Sequence, residues 1–373
     1  MTSGLFCDLH IHSCFSIASS SRMLPSCLVE GCRKKGIGVL GSGDSLHAGW
    51  RDLWNRIPDT GEVLVVPTAE VEDHDRVHHL IILDSFERFE DLASDLGRHA
   101  ARLAETGRPH VRLPGSEIAG RVHDLGGLIG PAHAFTPWTS LYAAFDCLSG
   151  CYGAERPDFL ELGLSADSSY GAGISDLAGI PFLSNSDAHS PDPAKLGREF
   201  FGIPDEEATV RGVMESIRRG HITMNAGFFP EEGKYNQTAC TRCYTHNTPA
   251  FAASVRWRCP DDRGLIKKGV ADRAAELADA PLTERPPYLH IIPLAEIIRL
   301  VIGSSSVATR ACTLLYDRFV TPDTDEISVL TRTPIKELAA IDGRIASAIE
   351  SFRQGRVSLV PGGGGRFGSF SFF

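Results

Sequence analysis

Short apolar runs recur through the first part of the chain, at residues 5–11, 38–41, 62–66, 79–83, 127–131, 159–162 and 181–184. In at least five of these seven a residue of metal-binding type stands at or just past the end. Amphipathic stretches at 24–35 and 86–106 lie between runs, the first opened by Pro25 and stopped by Gly36. Repeated strand-then-helix units predict a parallel sheet or a barrel with its polar strand ends gathered on one face, and seven units favour the barrel. Residues 211–220 read as a last helix and 221–226 as a short strand.

Asp8-Leu9-His10-Ile11-His12 opens the series and Asp187-Ala188-His189 closes it. Side chains two apart on a strand share a side, so His10 and His12 can grip one ion. Between the two pairs lie Asp44, Glu70, His78-His79 and His133, which is more imidazole and carboxylate than one ion can use. Taken singly, each could be a turn residue or a structural histidine; the repetition at strand ends is what argues for a polynuclear metal site. Adjacent strand residues face opposite ways, so only one of His78 and His79 can serve. His79, leading directly into Leu80-Ile81-Ile82-Leu83, is the choice and His78 the fallback. His99, His110, His123 and His221 fall outside the pattern.

With 373 residues the chain has room for two or three domains. It holds no run of 18 apolar residues and opens without a basic segment followed by an apolar one, so no membrane span and a cytoplasmic location are expected. That setting suits ten cysteines kept as thiols. A net charge of −10 disfavours a generally basic surface. Residues 234–273, however, carry eight basic side chains against three acidic ones, leaving −15 for the rest. That stretch returns DNA to consideration as a partner.

Asp8-Leu9-His10-Ile11-His12-Ser13, Thr68-Ala69-Glu70, His79-Leu80-Ile81, Pro131-Ala132-His133 and Asn185-Ser186-Asp187-Ala188-His189 resemble the motifs of the PHP (polymerase and histidinol phosphatase) superfamily. The resemblance implies a distorted (β/α)7 barrel with a trinuclear site. Its implied ligands are His10, His12, Glu70, His79, His133, Asp187 and His189. Where many relatives carry a metal-binding histidine after the second strand, Gly43-Asp44 stands here, so Asp44 takes that place, with His47 as a weaker candidate. Phe15-Ser16 occupies the position of a further acidic or histidine residue of the superfamily.

Beyond the barrel, three segments resemble the zinc-ribbon segment of endonuclease Q: Lys234-Tyr235 through Cys240-Thr241-Arg242-Cys243-Tyr244, then Arg256-Trp257-Arg258-Cys259-Pro260, then Ile266-Lys267-Lys268-Gly269-Val270. Arg285-Pro286-Pro287-Tyr288-Leu289-His290 and Pro361-Gly362-Gly363-Gly364-Gly365-Arg366-Phe367-Gly368 extend the match to the end. The implied organisation is a PHP metal-dependent phosphoesterase barrel (1–228), a zinc-ribbon-like basic module (229–273) and a mixed α/β C-terminal domain (274–373). The implied activity is a metal-dependent DNA repair endonuclease. Such an enzyme cuts on the 5′ side of deaminated bases (uracil, hypoxanthine, xanthine) and of abasic sites. Clustered divalent ions, two or three of zinc, manganese or magnesium, can activate water and neutralise phosphate oxygens, as that reaction requires. The Cys240-x-x-Cys243 knuckle is followed by Cys259-Pro260-Asp261-Asp262, where the fourth cysteine is missing. By register Asp262 completes a structural zinc site, and His246 is the other possibility. Arg242, Arg256, Arg258, Lys267 and Lys268 are the expected phosphate contacts, a solvated basic loop being the plainer reading.

Base flipping would need a lined pocket, for which Trp50, Phe135, Trp138 and residues 165–170 are candidates, ordinary packing being the competing reading. The glycine run 362–365 could bind phosphate or form a flexible loop. In the C-terminal region helices are expected at 294–303, 307–319 and 334–354, with strands at 326–330 and 357–360. The terminal Phe370-Ser371-Phe372-Phe373 faintly resembles a ligand of the sliding clamp PCNA. Two alternatives stand beside the nuclease: a PHP small-molecule phosphatase of histidinol-phosphate or nucleotide type, and a noncatalytic DNA-binding scaffold.

Overall fold

The computed structural model describes residues 4–372. Its strands, in chain order, are β1 (Leu5–Asp8), β2 (Val39–Gly41), β3 (Leu64–Val66), β4 (Thr68–Glu72), β5 (His78–Ile82), β6 (Leu128–Pro131), β7 (Leu160–Glu161), β8 (Phe182–Leu183), β9 (Phe200–Ile203), β10 (Met224–Gly227), β11 (Ala239–Cys240), β12 (Ile266–Lys267), β13 (Tyr288–His290), β14 (Val357–Val360) and β15 (Ser369–Phe372).

The first eight strands form an irregular ring. β1, β2 and β3 pair in parallel, and Pro67, which cannot donate to a ladder, turns the chain from β3 into β4. β4, β5 and β6 are antiparallel, and β7 and β8 parallel. Backbone bonds from Ala134 to Glu161 and from Asp158 to Ile129, both 2.8 Å, join β6 to β7. The ring closes just beyond the strand ends, where Ile11 bridges Ala188 and the His12 N–H donates to the Ala188 carbonyl at 2.9 Å. The mixed α/β class is as the sequence predicts, but the pairing is not uniformly parallel. A tight turn joins β4 to β5, with the Asp73 N–H donating to the Val77 carbonyl and Arg76 at φ 66°. So short a link permits only a hairpin.

Alternation along the strands sorts side chains into two layers. Leu80 and Ile82 of β5 join Cys7, Leu9, Val39, Val66, Leu128, Phe159 and Leu183 in the ring interior, whereas Ile81 of β5 and Ala69 and Val71 of β4 face the outer helices. Val213 and Ile217, from the helix Val210–Arg219, pack into the interior cluster.

β9 and β10 extend the ring's sheet antiparallel from β1, and β13 adds to β10 in parallel, giving the order β13-β10-β9-β1-β2-β3. The segments expected as barrel (1–228) and as C-terminal domain (274–373) therefore contribute strands to one sheet, and the helix Val270–Leu277 runs across the boundary expected at 273. The C-terminal helices Leu294–Val301, Arg310–Phe319, Glu326–Thr331, Ile335–Ile341 and Gly343–Arg353 share a hydrophobic cluster with Leu28, Val29 and Cys32 of the helix Pro25–Lys35. At this junction Lys35 Nζ lies 2.8 Å from Glu326 Oε1 in a fully buried ion pair. Glu326 also accepts from the Leu294 N–H at 2.9 Å and the Tyr316 hydroxyl at 2.7 Å.

Three expected elements change. Residues 326–330 are helical rather than extended, because Asp325 caps the segment by accepting from the Ser328 N–H. The helix expected over 334–354 breaks at Asp342, whose side chain caps a new helix through Arg344 and Ile345. The helix from Phe86 stops at Leu96, and turns follow to residue 105. The tail is a strand: β15 pairs antiparallel with β14, and Phe370 and Phe372 pack against the large cluster. Those two rings are thus engaged internally, which removes them as a free clamp peptide; Phe373 lies outside the described residues. Among the described residues the ten cysteines are free thiols, and no helix is long and apolar enough to cross a membrane.

Candidate metal centre

At one end of the ring His10, His12, Glu70, His78, His133, Asp187 and His189 converge. Their ligand atoms form three overlapping groups, His10/His12/Glu70, Glu70/His78/His133 and His12/Asp187/His189, each within 4.8 Å. Glu70 is shared by two groups: Oε1 is 2.8 Å from His78 Nδ1 and 3.1 Å from His133 Nε2, and Oε2 is 3.4 Å from His12 Nε2. His12 is shared as well, its Nε2 lying 3.1 Å from Asp187 Oδ1. The His189 ring packs 4.2 Å from the His12 ring. A carboxylate, with two oxygens, can serve two adjacent ions.

Two carboxylates stand behind the imidazoles and fix their tautomers. Glu161 accepts from His10 Nδ1 at 2.9 Å and also from the His133 N–H and the Asn185 amide, each at 2.8 Å. With Nδ1 committed to Glu161, Nε2 is the nitrogen of His10 that faces the cluster, free to ligate once its proton is displaced by an ion. That Nε2 is buried and has no hydrogen-bond partner among the described residues, the state of a nitrogen built to ligate. Asp44 does the same for His12, with Oδ1 3.2 Å from Nδ1. Its Oδ2 accepts from the Ser13 N–H at 2.7 Å, the Ser13 hydroxyl at 2.5 Å and the Ser16 hydroxyl at 2.8 Å.

Charge is balanced within this buried cluster. Burial opposes the carboxylate charge of Glu70, yet His78 and His10 hold it well below the ordinary range. Asp187 is likewise lowered against its burial, by His12 and His10. Burial also opposes charging His12, but Asp187 and Asp44 raise it to about 9. Divalent ions would take over the role these protonated imidazoles play toward the carboxylates. Asp44 (φ 46°), His133 (φ 33°) and Asp187 (φ 46°) all hold left-handed backbone, which costs on the order of 1–3 kcal/mol each and persists where surroundings over-determine it.

Two sequence expectations change here. His79 does not reach the cluster: its Nε2 is 3.0 Å from Asp73 and its Nδ1 2.8 Å from the Tyr152 hydroxyl, in the outer layer with Cys151. His78 takes its place because it shares the inward face of β5 with Leu80 and Ile82. Asp44 is not among the grouped ligand atoms; it holds the far nitrogen of His12 instead. His47 caps the helix Ala48–Asn55 and stacks on Phe15 at 4.0 Å. Glu161 and Arg108 were missed. Arg108 donates to Glu70 Oε2 at 3.2 Å and stays about one-third exposed, with side-chain exposure of 32%. A charged residue inside the apolar run Phe159-Leu160-Glu161-Leu162 was the available signal for the first, whereas nothing local marks the second.

Apart from the ring mouth and the buried Asp73/His79/Cys151 group, a metal-type cluster lies in the ribbon. Cys240, Cys243, Cys259 and Asp262 offer ligand atoms within 4.8 Å of one another, Asp262 lying 3.4 Å from Cys240 and Cys243 3.8 Å from Cys259. His246 is not part of this group. The glycine run backs the ribbon: Gly364 (φ 64°) approaches the Cys240 carbonyl so closely that a Cβ would collide with it. That packing, rather than a phosphate cradle, is the use the fold makes of the glycines. Arg242, Arg256 and Arg258 are exposed, and Lys267 and Lys268 are half-buried beside the barrel. Trp50 and Phe135 are core residues at 0% and 2% exposure, which removes them as base contacts, while Trp138 is 47% exposed.

The molecule is similar to crystal structures of known nucleases. One is the lesion-specific endonuclease PfuEndoQ of Pyrococcus furiosus, 42% identical, with a TM-score of 0.93 over 99% of this chain and 96% of that chain. Another is endonuclease Q in complex with a 27-mer duplex bearing an abasic lesion at the active site, 41% identical, with a TM-score of 0.93 over 100% and 97% of the two chains. Residues 293–356 match the family described as the MJ0043 C-terminal domain. The uncharacterized protein MJ0043 of Methanocaldococcus jannaschii is 43% identical over 248 residues, 64% of this chain. Those residues span 31% of that protein's length.

Proposed function

The chain belongs to the endonuclease Q family, and on that premise we propose that it is a metal-dependent, lesion-specific DNA endonuclease. Its substrates would be duplexes carrying an abasic site or a deaminated base (uracil, hypoxanthine or xanthine), cut on the 5′ side of the lesion. The observation that carries this reading is the near-complete overlap with nucleases at about 42% identity, together with a ligand cluster at the ring mouth.

The donor set fits divalent ions. Imidazole and carboxylate suit zinc and manganese better than magnesium, and the His10 Nε2, without a hydrogen-bond partner among the described residues, faces the cluster. We assign His10, His12, Glu70, His78, His133, Asp187 and His189 as the residues that hold them, two or three ions in all. Bound there, such ions supply Lewis acidity to the phosphate and lower the pKa of water. The chain's own groups do the rest. Glu161 and Asp44 keep the Nδ1 protons of His10 and His12 in place, so each Nε2 faces the site as a lone pair. Arg108, anchored on Glu70 and partly exposed, presents a cation toward an incoming phosphodiester. Asp187, with 29% side-chain exposure, is the carboxylate nearest solvent in the cluster.

In the ribbon, Cys240, Cys243, Cys259 and Asp262 would hold one structural zinc, and Arg242, Arg256, Arg258, Lys267 and Lys268 would contact phosphates.

The test is a nicking assay with Mg²⁺, Mn²⁺ or Zn²⁺ on labelled duplexes containing one abasic site, deoxyuridine or deoxyinosine, beside an unmodified duplex and p-nitrophenyl phosphate. A lesion-dependent nick is expected. Turnover of p-nitrophenyl phosphate without nicking would favour a small-molecule phosphatase, and binding without turnover a scaffold.

A further inference from the structure

Asp8 opens the first motif of the chain yet is not among the grouped ligand atoms. It is wholly buried, and it accepts the Ser186 N–H on Oδ1 and the Gly197 N–H on Oδ2, each at 3.0 Å. The residues that follow those two donors are Asp187 and Arg198. One carboxylate thus straps the segment bearing a ring-mouth ligand to the segment bearing an arginine. The strap is doubled, because Arg198 Nε donates to the Ser186 carbonyl at 2.9 Å.

The guanidinium held in this way is incomplete. Arg198 is half-buried, with Cζ 5.9 Å from the centre of the Phe228 ring. Among the described residues it has no carboxylate within ion-pairing distance, and Nη1 and Nη2 have no hydrogen-bond partner; neither nitrogen is shut off from solvent. Glu199, next in the chain, is not its counter-ion, since burial pushes that carboxyl up to about 8. Burial holds Arg198 itself below the ordinary arginine value, and Asp187 is foremost among the charges that oppose this. Once Asp187 is taken up by divalent ions, that compensation is lost. A cation then stands beside cations in a poorly solvated wall, and like charges repel until an anion lies between them.

We infer that Arg198 is a further catalytic residue, whose free Nη edge meets a nonbridging oxygen of the phosphodiester being cut, on the Asp187 side of the ring mouth. A phosphodiester brings the missing negative charge, and the planar guanidinium suits its oxygens. An uncharged base would leave the repulsion in place. The role differs from that of Arg108, which commits a nitrogen to the ligand Glu70. Arg198 commits only Nε, to a backbone carbonyl, and keeps both Nη groups for substrate. Fixed in advance by Asp8 and Ser186, the contact needs no reorganisation as the reaction proceeds, so it favours rate over ground-state affinity.

This inference rests on the nuclease reading, and its test separates the two. Single-turnover nicking of an abasic duplex is measured with Mn²⁺ for the parent, Arg198→Met and Arg198→Lys, the scissile position carrying an ordinary phosphate or either phosphorothioate diastereomer. Metal content is determined for each protein, and binding of inorganic phosphate to the metal-loaded forms is followed by calorimetry. Arg198→Met is expected to keep the ring-mouth ions, to nick about 10²–10³-fold more slowly and to bind inorganic phosphate about tenfold more weakly. With one diastereomer the sulfur and the substitution remove the same contact, so their combined effect should fall about tenfold short of the product of the two. Arg198→Lys keeps the charge and decides the matter if Arg198→Met does not fold; it should show the same shortfall at a smaller loss of rate. The proposal is overturned if nicking rates match the parent's, or if the effects multiply for both diastereomers. It is overturned too if the variants lose ring-mouth ions, the arginine then merely supporting Asp187. Should the parent nick no lesion while Arg198→Met still weakens phosphate binding, the anion site stands and the nuclease reading falls; should phosphate binding be unchanged as well, both fall.

Discussion

Replacing Asp44 by asparagine separates orienting His12 from binding an ion. The carboxylate has no spare orientation: Oδ1 faces His12 Nδ1 at 3.2 Å, and Oδ2 accepts from three donors. The burial of Asp44 works against its charge, but His12 and Ser13 keep its pKa below the ordinary carboxylate value. An amide can satisfy one side only. With its oxygen toward His12, its NH₂ meets the Ser13 N–H, which cannot turn away, and the buried donors cost about 1–3 kcal/mol. With its NH₂ toward His12, Nδ1 must become the acceptor, which places the ring proton on Nε2 and removes that nitrogen as a ligand. Either way the outer support of one imidazole is lost, a change that typically lowers metal affinity or activity 10–100-fold, or about 1.4–2.7 kcal/mol. Titrating Mn²⁺ or Zn²⁺ into the metal-stripped variant by calorimetry, with nicking rates measured alongside, reads this directly. The full number of ions should still bind, one of them 10–100-fold more weakly. Unchanged affinity and rate would refute the orienting role. Loss of one whole ion, with the others bound as tightly as before, would make Asp44 a ligand in its own right.

Four further outcomes follow from the geometry. Glu199 is buried, and its pKa is pushed up to about 8 by burial, only partly offset by the Phe228 N–H and Arg198. A carboxyl raised above its unfolded value of 4.5 favours folding below that pH and loses the contribution as pH climbs through about 8. Glu199→Gln should therefore melt like the parent at pH 5 and at higher urea than the parent at pH 9; parallel pH curves would disprove it. His78→Ala should lower the ions bound at the ring mouth, whereas His79→Ala should lower stability and leave them bound, as elemental analysis of the two proteins would reveal. Lys35→Met strands the Glu326 charge in the core and should destabilise by roughly 3–5 kcal/mol, while Lys35→Met with Glu326→Leu recovers much of it; equal urea midpoints for the two variants would contradict this. On the proposal that the ribbon holds zinc, Asp262→Ala should lower the zinc bound there without lowering the ions held at the ring mouth, and a zinc count identical to the parent's would exclude Asp262 as the fourth ligand.

How much of this was legible depends on whether local pattern or distant packing decides a position. His10, His12 and the Asp187–His189 pair were legible because two-residue spacing needs no tertiary information. The choice between His78 and His79 turned on which face of β5 is inward, and apolar residues on both faces hide it: Leu80 and Ile82 line the interior while Ile81 packs under helices. Asp44 has the right residue type in the right register, yet only the opposed hydroxyls of Ser13 and Ser16 reveal that it supports a ligand. Arg108 reaches Glu70 from a loop 38 residues further on, with no local signature at all. Residues 326–330 read as a strand because the run is short and β-branched, but the cap at Asp325 outweighs that propensity.

The close seat of Gly364 on the Cys240 carbonyl has a consequence for the order in which the protein can be built. Every group at the ring mouth has been synthesised once His189 is made, and the ribbon's four ligand residues once Asp262 is. The segment that backs the ribbon, and the strand β15 that holds it there, come after both. Chemistry is thus encoded early and its flank late, so a nascent chain can carry a nearly complete ligand set long before it has a braced surface to lay along a duplex.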